Sequence, residues 1–230
     1  MQRRSFLVYL SGLCVCRSSI LASIQERSAA GGCAWVRGVG PLSDTTSSSG
    51  NEDLDRALIA EVKKIDQIFQ IDPGYRFLRD GDHPNAYATE NALVQGTSGT
   101  VLFGLTLMEG ELQTEYGGAA IAGIAAHEGA HILQYKTDDI RRRLTGPTAQ
   151  PIELHADFMA GYYFSRTGRT ERSLVVFAES LFSKGDYQYN DPGHHGTPKQ
   201  RVASMRAGYG DGAYALSEAL DRGAQYVINA

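Results

Sequence analysis

Residues 119–136 read AAIAGIAAHEGAHILQYK. Ala, Gly, Ile and Leu dominate, the composition of a helix pressed closely against its neighbours. Three polar residues, His127, Glu128 and His131, interrupt it. Buried polar groups cost free energy unless they are paired or hold a metal. His127 and His131 stand four residues apart, so a helix puts them on one face, one turn apart. Two such imidazoles can grip one divalent ion from one side. Glu128 lies about 100° round the helix from His127, placed to hydrogen-bond a water rather than to ligate. The competing account is a helix whose histidines are satisfied by neighbouring groups.

This is the H-E-x-x-H arrangement of zinc sites, and it needs a third protein ligand with one position left open. PIELHADFMAG, residues 151–161, starts a new helix at Pro151 and offers that ligand. Glu153 follows His131 by 22 residues, enough for a turn and an antiparallel return. Asp157, four residues on, shares its face and can accept the N–H of a ligand imidazole, fixing the ring. His155 is the rival ligand, but it points about 200° away from Glu153. Glu153 is preferred because Asp157 shares its face and Leu154 and Phe158 flank it.

Outward from these helices the chain organises simply. SDTTSSSGNE at 43–52 reads as part of a Ser-rich linker spanning 31–51. Leu54, Leu58, Ile59, Val62, Ile65, Ile68 and Phe69 then recur at helical spacing. YRFL, NAYAT and TVLFGLTL, punctuated by Pro-Gly and Gly-rich turns, read as short strands. Further helices are predicted near 118–136, 151–166, 170–184, 198–207 and 213–227, with no internal repeat. The expectation is an α+β domain over 52–230, a small antiparallel sheet on a mainly helical body.

A net charge of -4 and a pI of about 5.9 argue against a nucleic-acid-binding surface. Arg141-Arg142-Arg143, preceded by Asp138-Asp139, reads as a solvated loop of mixed charge. Cys14, Cys16 and Cys33 all lie near the N-terminus, so the body has neither a cysteine zinc site nor a disulfide framework. Residues 1–30, with Arg3-Arg4 before a short apolar run, read as an export signal of twin-arginine type, or else as a disordered cytoplasmic tail. Periplasmic or secreted localisation follows from the first reading. Cys33 is a weak lipid-attachment candidate, and no segment of the body reads as a transmembrane span.

H-E-G-A-H at 127–131 followed by E-L-H-A-D at 153–157 resembles the gluzincin zinc metallopeptidases, whose second motif is E-x-x-x-D. PNAYAT at 84–89 and HHGTPKQRVASMRAGY at 194–209 are similar to segments of the soluble, minigluzincin-like relatives of the CAAX prenyl endopeptidases. The resemblance implies one zinc ion on His127, His131 and Glu153, with Glu128 activating its water as general base. It implies that His195, or His194, meets the oxyanion, and that Arg201 helps hold the cleft. An edge strand through Asn85, Ala86 and Tyr87 would pair with an extended peptide or protein substrate. The transmembrane helices of the membrane-embedded members are missing from this body, so their prenylated substrates are not implied. The alternative function is an inactive, zinc-stabilised binding or chaperone-like module of the same fold. A hydrolase of non-peptide substrates ranks last, because the chain has no nucleophile elbow and no phosphate loop. Substrate preference and any regulatory partner are not readable from these residues.

Overall fold

The computed structural model describes residues 45–81, 84–114, 117–170, 172–174, 176 and 193–230. The expected export signal and all three cysteines lie outside them, as does most of the helix expected over 170–184; residues 172–174 are helical. The expected linker falls partly within them. Thr45–Thr46 forms strand β1, and Ser48 and Ser49 hydrogen-bond the Asp55 carboxylate. The folded body therefore already includes Thr45.

Helix α1 spans Glu52–Phe69. The Asn51 side chain accepts from the backbone N–H groups of Asp53 and Leu54, and acidic residues in the first turn complement the helix dipole. Leu54, Leu58, Val62, Ile65 and Phe69 form its buried stripe; Ile68 is half-buried at its margin, and Ile59, expected with them, is exposed because it falls outside the face turned to the core.

Strands β2 (Gly74–Leu78), β3 (Ala86–Thr89) and β4 (Thr100–Gly104) join β1 in a four-stranded sheet of order β1-β2-β4-β3. The α+β class expected from the sequence holds, but the sheet is mixed rather than antiparallel. β4 pairs with β2 in parallel, Gly74 opposite Thr100, and with β3 antiparallel, Ala86 opposite Phe103. The reason is topological: β3 does not fold back on β2 but lies outside β4, which occupies the centre. β4 is buried along its whole length, the pattern of an interior strand.

The run TVLFGLTL is only half strand. It switches at Gly104 into helix α2, Leu105–Leu112. Asp80 enforces the switch: its carboxylate accepts from the N–H groups of Thr106 and Leu107, capping α2, and from Asn85 N–H at the start of β3. A Cβ at position 104 would lie 1.9 Å from that carboxylate, so only glycine fits.

Helix α3, Gly117–Lys136, is buried over nearly its full length, packed on α1, the sheet and α5. Its small residues permit this; a Cβ on Gly129 would stand 2.8 Å from Ile65 Cγ2. The basic stretch after it is not a loop. Asp138–Leu144 is helix α4, acidic in its first turn and basic in its last, with Arg141 paired to Glu90 and Arg143 to Asp221.

Helices α5 (Gln150–Arg166), α6 (Pro198–Gly210) and α7 (Leu216–Ile228) complete the body. Thr197 and Gln200 close a capping box on α6. α5 and α6 touch backbone to backbone: a Cβ on Gly161 would meet Met205 O at 1.9 Å, and one on Gly208 would meet Phe158 O at 1.8 Å. Among the described residues no helix is long and apolar enough to cross a membrane.

Candidate metal centre

α3 and α5 lie side by side in the core and present His127, His131 and Glu153 to one point. One ligand atom from each falls within 4.8 Å of the others, and all three residues are buried. The two Nε2 atoms are 3.2 Å apart. Glu153 Oε2 lies 3.4 Å from His127 Nε2, and Oε1 lies 3.4 Å from His131 Nε2. Neither Glu153 oxygen accepts a hydrogen bond, although the residue is fully buried. A buried carboxylate in that state is costly unless a cation meets it. Two imidazoles and one carboxylate suit such an ion, so the group could hold a metal.

The ring of His127 is fixed from behind. Its Nδ1 lies 2.9 Å from Asp157 Oδ1. Arg201, from α6, clasps the same carboxylate with Nε on Oδ2 at 2.8 Å and Nη2 on Oδ1 at 2.9 Å. The crossing at Gly161 and Gly208 brings α6 close enough for this. Asp157 thus stands in ion-pair contact with a site imidazole, and Arg201 acts on that ring through Asp157.

His131 is fixed by residues of another kind. Its Nδ1 lies 2.8 Å from Gln134 Oε1, and Gln134 Nε2 lies 2.9 Å from Ile152 O and 3.0 Å from His155 Nδ1. His155 Nε2 lies 3.2 Å from Leu220 O on α7. His155, the rival ligand, therefore faces away from the site, as its angular position on α5 implies. Gln134 went unnoticed in the sequence, although its position three residues after His131 places it on the same face.

Burial opposes charge on His127, but the Asp157 and Glu153 carboxylates outweigh it and push its pKa up to about 10. Burial pushes His131 down to about 4, Glu153 pulling the other way and charged His127 reinforcing it. Two imidazoles this close cannot both be charged. Burial also works against the Glu153 anion, yet His131, His127 and His195 hold its pKa far below the usual carboxylate range. Burial likewise disfavours the Asp157 anion, and Arg201 more than compensates. His155 is pushed by burial to about 4, consistent with a neutral ring.

Glu128 is buried beside this group, and its Oε2 has no hydrogen-bond partner. Burial raises its pKa to about 7, with His127 and Arg201 pulling it down and Glu153 and Asp157 pushing it up. Of the paired histidines before α6, both buried, His195 is the one whose charge acts on Glu153. Asn85, Ala86 and Tyr87 lie at the start of β3, the outer strand of the sheet, and β3 packs on α3. Ala86 N–H is met by the Asn85 side chain, and Tyr135 O–H from α3 reaches Ala88 O at 3.4 Å.

Comparison with protein-family models, with curated proteins and with solved structures yields no match to this chain. What bears on its chemistry is the centre itself, a buried group of two histidines and one glutamate able to hold a metal ion.

Proposed function

We propose that this protein is a zinc-dependent endopeptidase of the gluzincin type, with one ion held by His127, His131 and Glu153. The observation that carries the proposal is the state of the two glutamates. Glu153, flanked by two imidazole nitrogens at 3.4 Å, is buried with no hydrogen bond of normal geometry on either oxygen. Glu128, outside the ligand group, is a second buried carboxylate with an unpartnered oxygen. A purely structural metal site closes its fourth position and needs no base. A hydrolytic site needs both an open position and a base.

When bound, the ion supplies Lewis-acid chemistry, lowering the pKa of a water towards about 7 and polarising a carbonyl. The chain supplies the rest. Glu128 removes the proton of the attacking water and delivers it to the leaving amine. His195 donates to the developing oxyanion. Asp157 and Arg201 hold the His127 ring, and an extended peptide pairs along β3, on whose outer side no strand lies among the described residues.

The test is digestion of a peptide library by the full chain after chelation and after zinc is restored. Internal cleavage that disappears with the chelator and returns with stoichiometric zinc supports the proposal. Tight zinc binding with no cleavage would favour the inactive binding module.

A further inference from the structure

The hydrogen bonds behind His131 fix where its proton sits, and they do so from outside the site. Gln134 Nε2 lies 2.9 Å from Ile152 O. A carbonyl can only accept, so the amide must turn its NH2 group towards Ile152. Gln134 Oε1 is then the atom that faces His131 Nδ1 at 2.8 Å, and that nitrogen must carry the proton. His131 Nε2 is left with its lone pair directed at Glu153 and His127. The second N–H of the amide points at His155 Nδ1, 3.0 Å away, which must accept. The His155 proton therefore sits on Nε2 and is donated to Leu220 O at 3.2 Å. Every group in the chain is satisfied in one way only, because the carbonyls of Ile152 and Leu220, which meet Gln134 and His155, can only accept.

We propose that Gln134 and His155 are positioning residues that hold His131 in its metal-accepting tautomer, with α7 as the outer anchor. All three side chains are buried, His155 and Gln134 completely. α7 is shaped to receive the relay: at Gly223 a Cβ would stand 3.2 Å from His155 Nε2 and 2.8 Å from Phe158 Cδ1. His127 is held by a charged pair, Asp157 and Arg201, and His131 by this neutral one. Partners of this kind fix the ring and raise ligand basicity. The inference rests on the metal-site reading but not on peptidase activity.

The test compares zinc affinity of the full-length wild type with His155→Phe, His155→Asn and Gln134→Leu, by competition with a chromophoric chelator. His155→Phe keeps a ring but has no nitrogen to accept from Gln134; His155→Asn keeps an acceptor where Nδ1 stood. His155→Phe and Gln134→Leu should bind zinc about 10- to 100-fold more weakly, and His155→Asn, which keeps the acceptor but gives up the bond to Leu220 O, should fall between them and wild type. Wild-type affinity in His155→Phe, or equal loss in the Phe and Asn variants, overturns the relay. A second measurement needs no variant: ring nitrogen-15 spectra of the wild type, with and without zinc, should place the protons on His131 Nδ1 and His155 Nε2. The opposite tautomer at either ring contradicts the relay even where a variant does not fold. A wild type that binds no zinc instead refutes the metal site itself.

Discussion

Arg201 on α6 holds Asp157 on α5 through two parallel hydrogen bonds of 2.8 and 2.9 Å, and both residues are buried. The pair does two things at once: it ties α6 to α5 and it fixes the carboxylate that orients His127. Removing one member of a buried pair leaves the other charge uncompensated, at a cost of about 3–5 kcal/mol. Arg201→Met should lower the urea unfolding free energy by that order. Asp157→Asn combined with Arg201→Met should recover a large part of the loss, because no charge is stranded. Equal losses in the single and double variants would show that packing, not charge, is at stake.

The approach that makes this pair possible is set by two glycines. Gly161 and Gly208 stand where each would thrust a Cβ into the opposite helix backbone. Overpacking of this kind typically costs about 1–3 kcal/mol. Gly161→Ala should therefore lose stability and, by separating Arg201 from Asp157, weaken zinc binding as well. Unfolding and chelator competition on the same variant check both effects.

A pH effect is also expected on α1. Burial raises the pKa of Asp66, on α1, to about 6, despite a hydrogen bond from Tyr75 that lowers it. A raised carboxyl pKa means the folded state binds the proton more tightly than the unfolded state. This contribution is full below the unfolded value near 3.8 and is lost as pH rises through about 6. Asp66→Asn, which still accepts from Tyr75, should flatten that fall. Unfolding midpoints of wild type and variant between pH 4 and 7 measure it; parallel curves would contradict the assignment.

Glu153 predicts a ligand-linked stability. Zinc at about 100 times its Kd adds about 2.7 kcal/mol, equivalent to roughly 5–10 °C in Tm for a chain this size. Glu153→Gln should abolish most of that rise. A full rise in the variant would remove Glu153 from the ligand set.

The site was legible in the sequence to the extent that it is local. His127, Glu128 and His131 declare their geometry by helical spacing, and Glu153 and Asp157 do the same by standing four apart on α5. Gln134 carried an equally local signal, three residues beyond His131, but an amide inside an apolar helix suggests no chemistry until its partners are seen. Its partners Ile152 and His155 come from α5, His155 in turn reaches Leu220 on α7, and no local pattern links them. The helix at Asp138–Leu144 was announced by acids in its first turn and arginines in its last, a dipole pattern that a charge-based reading takes for a loop. The mixed sheet was not legible, because the central place of β4 depends on contacts between distant segments. The end of β4 at Gly104 depends on Asp80, twenty-four residues earlier.

The most direct measurement is zinc content and peptide hydrolysis of Glu128→Gln beside wild type. The account predicts one zinc per chain in both, with hydrolysis reduced at least about 100-fold in the variant, the scale of general acid–base catalysis. Undiminished hydrolysis by Glu128→Gln, with zinc in place, would contradict the claim that Glu128 is the base.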